Sequence, residues 1–418
     1  MRQSYLLLVP EFLFSCARFE QEETEVTEEK GPLFSLFPLV PRIEFVWLPP
    51  KAALVRQLWP PTWTQTPPTV QIAILHNRVA SDASASDRDV LVQVAAVTAA
   101  LDGLGHRSVA IECDLDLLSL QRCLRDLQPD VVFNLVESLD GSDSLMSLVP
   151  ALLDRMNVPY TGSPTEAVWL TNHKVLAKER LSQAGLPTPV WRSGTRETGS
   201  FLATDRAAGG IQAGTRFVIK AISEHASIGL DEHSLVTVMD EADLQRHLVG
   251  FRKALQRPCF AEQFIDGREF NISLLAHAGG CQVLPPAEID FSAFPADKPR
   301  LVGYRAKWEE DSFEYLNTPR RFDFPPHDAA LLKQIGQIAV ACWHLFALRG
   351  YSRVDFRVDQ DGRPWILEVN ANPCLSPDAG FAAALDRAGT RYEEAIARIV
   401  SDALALPGTR RPNDRLRH

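Results

Sequence analysis

The sequence predicts a mixed α/β fold, in which a parallel α/β domain is followed by two further lobes that contain antiparallel strands. From residue 69 to about 165, apolar strand-like runs alternate with helical segments, the pattern of a parallel sheet covered by helices. After residue 166, several β-rich runs follow one another closely, as in antiparallel sheets. The chain has 418 residues, of which 45% are hydrophobic, enough for two or three domains with cores.

The first domain, expected over residues 69–165, begins with the strand-like run TVQIAILHN. A helix is expected from Asp89 to Leu104, because apolar residues recur there at helical spacing. SVAIEC and DVVFNLV are read as further strands, with a helix between them and another near 144–156. The segment VPYTGSP ends this domain.

Two lobes are expected after the first domain. The central lobe, residues 166–258, has helical segments through TNHKVLAKERLSQAG, the strand RFVIKAIS and the helix DEADLQRHLVGFRKAL. The C-terminal lobe, residues 259–406, has antiparallel strands in CFAEQFI, REFNISLLA and CQVLPPAEI. A long helix, HDAALLKQIGQIAVACWHLFAL, leads into a last hairpin, and RYEEAIARIVSDALAL closes the fold.

The two ends of the chain are expected to lie outside the folded domains. Residues 1–68 hold ten of the 29 prolines and the acidic run EQEETEVTEEK. They are expected to be a poorly ordered extension, or the product of a start codon assigned too far upstream. The run YLLLVPEFLFSCA is not expected to act as an export leader, because Pro10 and Glu11 interrupt its apolar core. Residues 407–418 are expected to form a tail.

Composition excludes several classes of partner. The net charge is −10 and no basic cluster is present, so nucleic-acid binding is not expected. No apolar run reaches the ~20 residues that span a bilayer, so no membrane partner is expected. The seven cysteines are scattered and lack CxxC spacing, which indicates reduced thiols and a cytoplasmic location.

The stretch SRVDFRVDQDGRPWILEVNANP predicts a β-hairpin. Its two β-rich runs are joined across Asp361 and Gly362, a dipeptide that favours a two-residue turn because both positions tolerate positive φ. Centring the turn on these residues predicts three facing pairs: Asp355 with Glu368, Arg353 with Asn370, and Phe356 with Leu367.

The two faces of this hairpin differ in chemistry, because side chains alternate along a strand. One face is expected to be apolar and to carry Val354, Phe356, Val358, Trp365, Leu367 and Val369. The other carries Arg353, Asp355, Glu368 and Asn370. Like charges placed opposite each other destabilise a sheet, so a cation is expected between the two carboxylates. Magnesium suits this position, since it takes one or two carboxylates together with phosphates, and Asn370 adds a neutral oxygen.

Polyphosphate ligands should then be held nearby by lysines and backbone amides. Lys220 ends an apolar strand in FVIKAISEHASIGL, and the small-residue loop 223–229 after it suits a phosphate cover. Lys174, in TNHKVLAKERL, opens a helix from which an amine can reach phosphate. In FAEQFIDGREF, Glu262 and Glu269 flank a turn, and this stretch can offer backbone groups to an adenine and a carboxylate to a ribose.

The order of these motifs resembles that of ATP-grasp enzymes, and within them the D-alanine–D-alanine ligase family. The resemblance covers residues 70–405 and rests on YTGS followed by HK, on VIK with its loop, and on AEQFIDGREF, YRAKW and RVDF with ILEVNANP. It implies a two-lobed ATP-grasp fold after the parallel domain. It also implies ATP and two magnesium ions, with manganese as an alternative metal, as cofactors.

The resemblance assigns a role to each candidate residue. Arg353 would neutralise the reacting oxyanion, Lys307 would approach the γ-phosphate and Asp89 would receive an ammonium group. The nucleotide would be bound by Lys174, Lys220, Ser227, Glu262, Gln263, Phe264, Ile265, Glu269 and Leu367, and the metal by Asp355, Glu368 and Asn370.

The implied reaction joins a small-molecule carboxylate to an amine, both expected to be amino acids, through an acyl phosphate. The amino-acid subsites depart from the family pattern. The loop that reads HGxxGEDG in the family is LVESLDGSD here, and Ala379 and Gly380 replace a serine and a leucine. Two alternatives stay open, a nucleotide-binding regulatory protein and a small-molecule kinase on the same fold. The oligomeric state also stays open, with a homodimer among the options.

Overall fold

The computed structural model describes residues 69–193 and 210–405. The extension predicted for residues 1–68 and the tail predicted for residues 407–418 lie outside these ranges. Within the described residues, three sheets carry the fold. None of the described helices is both long and apolar enough to span a bilayer.

The first sheet is parallel, as predicted, with strand order β2-β1-β3. Its strands are β1 (Gln71–Asn77), β2 (Arg107–Cys113) and β3 (Val131–Asn134). The helices of this part of the chain are α1 (Ala85–Gly103), α2 (Leu117–Leu127), α3 (Leu148–Met156), α4 (Thr165–Asn172) and α5 (Lys174–Gln183). Helix α1 begins earlier than predicted, because Ser84 and Asp87 form a capping box at its start. His173 separates α4 from α5, since its ring accepts the Leu176 N–H.

A four-stranded antiparallel sheet follows, with strand order β4-β7-β5-β6. Its strands are β4 (Trp191–Ser193), β5 (Thr215–Ala221), β6 (Leu235–Val238) and β7 (Cys259–Gln263), and helix α6 (Glu241–Leu255) packs on it. Phe217 and Ile219 of β5 contact Leu244 and Leu248 of α6 in one buried cluster. The period-2 strand pattern and the period-3.6 helix pattern therefore meet in a common core.

A six-stranded antiparallel sheet forms the largest layer, with β9 pairing β8 beside the path β11-β10-β8-β12-β13. Its strands are β8 (Arg268–His277), β9 (Gly280–Val283), β10 (Ala287–Ile289), β11 (Arg320–Arg321), β12 (Tyr351–Val358) and β13 (Pro364–Asn370). The helices here are α7 (Tyr304–Trp308), α8 (Phe313–Leu316), α9 (Ala329–Leu345), α10 (Gly380–Arg387) and α11 (Tyr392–Leu404). The domain boundaries near residues 165 and 258 stay predictions.

The first and third sheets share one hydrophobic core. Ile74 of β1 and Phe133 of β3 belong to the same buried cluster as Tyr351, Phe381 and Ile396 from the C-terminal part of the chain. All five side chains are at most 1% exposed, so they are fully removed from water. This shared core fixes the segment after β13 against the first sheet.

The turn between β12 and β13 is wider than predicted. The Asp359 N–H donates to Arg363 O and the Gly362 N–H donates to Asp359 O, both at 3.0 Å, so the loop spans 360–362. Gly362 has φ +79°, a conformation that glycine adopts without strain. The predicted two-residue turn on Asp361 and Gly362 is therefore wrong.

A bulge in the same hairpin compensates for this wider turn. The register shifts between Asp355 and Phe356, so one extra residue on β13 restores the pairing beyond that point. Asp355 faces Glu368, and Arg353 faces Asn370, as predicted. Phe356 faces Ile366, so its predicted pairing with Leu367 is wrong. The buried face accordingly contains Ile366, while Leu367 is only half buried.

Gly267 lies in the turn between β7 and β8, where a side chain has no room. It has φ +154°, and an added Cβ would lie 2.0 Å from Val358 O. Because a backbone oxygen cannot rotate away, we expect Gly267→Ala to lower the free energy of unfolding by at least about 3 kcal/mol in urea titrations. Gly279→Ala is the matched control, since φ is +80° but nothing lies within 4 Å, and about 1 kcal/mol is expected there. Equal losses in the two variants would contradict the steric explanation.

Candidate active site

The polar face of the β12–β13 hairpin brings two carboxylates and one guanidinium together. Arg353 makes a two-pronged ion pair with Asp355, at 2.7 and 2.8 Å, and its Nη2 lies 3.9 Å from Glu368 Oε1. Asn271 of β8 also donates to Asp355 Oδ1 at 2.8 Å. The cation expected between the facing carboxylates is therefore partly supplied by the protein itself, through Arg353.

Glu368 lies in a strongly positive environment. Lys174 Nζ, at the start of α5, lies 3.8 Å from Glu368 Oε2. Burial alone would raise the pKa of Glu368, but Lys174, Lys307 and Arg353 outweigh it and hold this pKa well below the ordinary range. Burial raises the pKa of Asp355, although the nearby guanidinium opposes this shift. Glu368 is thus held as a carboxylate.

The donor set fits a divalent cation that is shared with a polyphosphate. Among the described residues, no group of three or more His, Cys, Asp or Glu side chains could hold a metal ion by itself. A hard cation that keeps several waters needs only one or two carboxylates when phosphates supply further oxygens. Asp355 and Glu368 meet that requirement. Asn370 adds an amide oxygen, which in this structure accepts the Asn372 N–H at 3.0 Å.

The nucleotide candidates on β5 and β7 contact each other directly. Lys220 Nζ donates to Glu262 Oε1 at 2.8 Å. The other oxygen of Glu262 is in contact with Lys178 of α5. Burial would raise the pKa of Glu262, but the two lysines reverse this shift and lower it. Lys178 was not among the sequence candidates, because a lysine four residues after Lys174 on a helix reads as a solvated side chain.

The end of β7 and the residues just after it are held by hydrogen bonds to other segments. The Gln263 N–H donates to Val190 O at 2.8 Å, and the Phe264 N–H donates to Arg216 O at 2.9 Å. Ile265 O accepts from Arg357 Nε at 2.9 Å. These bonds give the proposed adenine edge a fixed position between the two antiparallel sheets.

Glu269 is buried on β8 and paired with Arg357 at 3.0 Å. Burial raises its pKa, although Arg357 opposes the shift. The partner fixes the direction of the carboxylate. This is compatible with the role towards a ribose that the sequence predicts.

The loop 223–229 is tied to elements on both sides. The His225 N–H donates to Asp143 Oδ2 at 2.9 Å, and Trp308 Nε1 of α7 donates to Ala226 O at 2.9 Å. Ser227 is buried and has φ +60°, a strained conformation for a residue with a side chain. Lys307, on the same short helix as Trp308, is partly buried. The loop is therefore held over the lysines and the hairpin.

Asp89 of α1 is turned towards the loop after β13. Its Oδ1 accepts from Ser376 Oγ at 2.7 Å, and its Oδ2 accepts from Cys374 Sγ at 3.0 Å and from Gln93 Nε2 at 3.2 Å. The carboxylate predicted to receive an ammonium group is thus also a structural anchor for this loop.

Glu137 is a second carboxylate at this position, and it was not among the candidates predicted from the sequence. Gln93 Nε2 donates to Glu137 Oε1 at 3.1 Å as well as to Asp89. Burial is the main cause that raises the pKa of Glu137 to about 7, with the charge of Asp89 adding to it. Sequence spacing gives no signal for this contact, because the two acids come from a helix and from the loop after β3.

The pKa of Glu137 predicts a pH-dependent stability change. Its ordinary pKa is 4.5 and the folded value is about 7, so the native state binds the proton more tightly and loses stability as pH rises between these values. We expect Glu137→Gln to be more stable than the wild type by about 3 kcal/mol at pH 8 and equal to it at pH 4. Urea titrations at both pH values measure this. A difference that does not depend on pH would contradict the assignment.

Comparisons with known proteins agree with this geometry. Residues 181–401 match the family model described as D-ala D-ala ligase C-terminus. A D-alanine–D-alanine ligase of Moorella thermoacetica is 31% identical over 328 residues, which cover 76% of this chain and 96% of that protein. An uncharacterized protein of Sinorhizobium fredii is also 31% identical, over 73% of this chain and 86% of its own length.

Solved structures of other proteins have a similar fold. The structure of D-alanine–D-alanine ligase from Bacillus anthracis complexed with ATP superposes with a TM-score of 0.60 and 21% identity, covering 80% of this chain and 98% of that one. This likeness shows that the parallel sheet followed by two antiparallel sheets is the ATP-grasp architecture predicted from the sequence. Together with the family match over more than half of the residues, it identifies the chain as an ATP-grasp ligase that belongs to the D-alanine–D-alanine ligase family.

Proposed function

We propose that the protein uses ATP to activate the carboxylate of one amino acid as an acyl phosphate, and then joins it to the amine of another. The observation that carries this proposal is the hairpin face on which Asp355 and Glu368 oppose each other with Arg353 between them. Such a face is suited to concentrating positive charge around a transferring phosphoryl group.

The nucleotide site follows from the contacts of the central strands. Lys174 and Lys220 would meet the phosphates, Glu262 and the segment 263–265 the adenine, and Glu269 the ribose. Ser227 and Leu367 would complete the pocket from the loop and from the bulge. Asp355, Glu368 and Asn370 would hold two magnesium or manganese ions. The metal would supply electrostatic stabilisation of phosphate oxygens.

In the first step, a substrate carboxylate oxygen attacks the γ-phosphorus, and the bond to the β–γ bridging oxygen breaks to release ADP. Lys307 and the two phosphate lysines would offset the negative charge that spreads over the transferring group. In the second step, the amine attacks the acyl carbonyl, phosphate leaves, and the amine proton is lost. Arg353 would stabilise the tetrahedral oxyanion in this step.

The amino-acid half of the site departs from the family pattern that the resemblance gives. A Cβ on Gly380 would lie 3.3 Å from Arg320 Nε, so glycine at this position leaves room for an arginine of β11. Asp89 is tied to Ser376, and Glu137 lies on the other side of Gln93. We therefore propose amino-acid substrates whose ammonium group meets Asp89 or Glu137, without assigning D-alanine as either of them.

The six described cysteines are all free, which supports the proposal of a cytoplasmic, reducing location.

The deciding experiment measures ADP and inorganic phosphate release with panels of carboxylates and amines, D-alanine included. Amine-dependent phosphate release together with an amide product supports the ligase. ADP release with phosphate attached to the acceptor would instead support a small-molecule kinase. Tight ATP binding without turnover of any carboxylate–amine pair would support a regulatory protein. The altered subsite residues Ala379 and Gly380 are the observation that suggests this alternative.

A further inference from the structure

Three side chains form a buried charge cluster beside the nucleotide strands. Glu262 lies between Lys178 of α5 and Lys220 of β5, and each of its two oxygens contacts a different lysine. Glu262 is 2% exposed and Lys178 is 1% exposed. Two positive charges thus share one negative charge in the protein interior. The family resemblance accounts for Lys220 and Glu262, but it assigns no role to Lys178.

A surplus charge in the interior is unfavourable unless another group compensates for it. Burial lowers the pKa of Lys178, and Glu262 opposes this shift. For Lys220, burial acts in the same direction, but the carboxylates of Glu262 and Glu368 outweigh it and raise the pKa. The charge of Glu368, on the proposed metal face, also acts on both lysines, so this cluster adjoins the proposed nucleotide and metal site.

Lys178 is held rigidly in this position. Its amino group donates to Thr188 Oγ1 at 2.8 Å, and Thr188 Oγ1 in turn donates to Ile366 O of β13 at 2.9 Å. The amino group therefore has a hydroxyl and a carboxylate as partners and points away from solvent. A lysine in such a place cannot itself leave to meet a ligand.

The contact between Lys178 and Glu262 limits how strongly Glu262 holds Lys220. While Lys178 occupies Oε2, Lys220 is bound to Glu262 through one oxygen only. Without the charge of Lys178, Lys220 and Glu262 would form a neutral buried pair, and the lysine would be drawn more strongly to the carboxylate. Less of its charge would then act on a phosphate.

We propose that Lys178 is a positioning residue that neutralises Glu262 from behind, so that Lys220 stays available to a nucleotide phosphate. The inference rests on the proposed nucleotide site and goes beyond it. Lys178 touches no ligand in this scheme. It makes the pocket selective for phosphorylated nucleotides over the uncharged nucleoside.

The test compares the affinities for ADP and for adenosine by calorimetry, with their ratio as the readout. Lys178→Gln keeps a hydrogen-bond donor but removes the charge. We expect the ADP-to-adenosine affinity ratio to fall roughly tenfold while the affinity for adenosine stays unchanged. This factor is the effect of one unit charge at a distance of about 10 Å and an effective dielectric constant of about 20. Lys178→Arg, which keeps the charge, should retain the ratio. An equal loss for both ligands, or an unchanged ratio in Lys178→Gln, overturns the inference.

The matched control is Lys298→Gln, which removes another lysine that lies between two carboxylates, Glu232 and Glu314. Its ratio should equal that of the wild type. If Lys178→Gln does not fold, the double variant Lys178→Gln, Glu262→Gln restores the surplus positive charge on Lys220. Its ratio should lie within about threefold of the wild type, although adenosine itself binds less well. A tenfold fall in the double variant overturns the inference.

Failure of the proposed reaction and failure of the inference about Lys178 give different results. A wild-type protein that binds ADP no more tightly than adenosine overturns both the nucleotide site and this inference. A wild-type protein that binds ADP selectively but shows no amine-dependent turnover overturns only the proposed reaction.

Discussion

Glu368→Gln is expected to lower turnover by at least about a hundredfold while leaving the fold intact. Glu368 faces Asp355 across the hairpin and lies 3.8 Å from Lys174 Nζ, so it is the carboxylate on which the cations of the site converge. Its replacement removes one of the only two charged side chains among the proposed metal ligands. A loss of about 3 kcal/mol of transition-state stabilisation corresponds to that factor.

The measurement is amine-dependent phosphate release, accompanied by thermal melting. Asp361→Asn is the control, because it makes the same carboxyl-to-amide change on the same hairpin at a side chain that is 70% exposed. It should keep the turnover of the wild type. Full activity in Glu368→Gln would show that the metal assignment on this hairpin is wrong.

The β12–β13 hairpin shows which features of the site could be predicted from the sequence. Alternation of apolar and polar residues, with a turn at Asp361 and Gly362, was enough to predict that Asp355 faces Glu368. The turn is in fact wider, and a bulge before Phe356 restores the register. The extra residue in the bulge, Leu367, is apolar like Ile366 before it, so alternation alone could not show which of the two faces the core.

Contacts between segments far apart in the chain could not be predicted from the sequence either. Alternating strands and helices predicted the parallel sheet, and motif order predicted which lysines lie near the hairpin. Neither Glu137 nor Lys178 could be found in this way. Glu137 gains its importance from Gln93, 44 residues earlier, and Lys178 from Glu262 on another element. On a helix or a loop by themselves, both side chains read as ordinary solvated charges.

Arg353→Met is expected to have the second large effect, on stability and on turnover together. The guanidinium pairs with Asp355 through two bonds and also approaches Glu368, and its side chain is only 17% exposed. Removing it leaves Asp355 without its ion-pair partner and takes away the guanidinium that contacts both facing carboxylates. We expect the free energy of unfolding to fall by about 3 kcal/mol in metal-free buffer, and turnover to fall about a hundredfold.

The dependence on metal separates the two roles of Arg353. If a divalent cation binds the facing carboxylates, added magnesium should raise the melting temperature of Arg353→Met more than that of the wild type, because it replaces the missing charge between them. Turnover should stay low even then, since magnesium between the carboxylates cannot take over the role towards the oxyanion that we propose for Arg353. Arg363→Met, on the same hairpin and 70% exposed, should respond to magnesium as the wild type does. Recovery of turnover by magnesium alone would mean that Arg353 serves only to balance Asp355 and Glu368, and that another group stabilises the oxyanion.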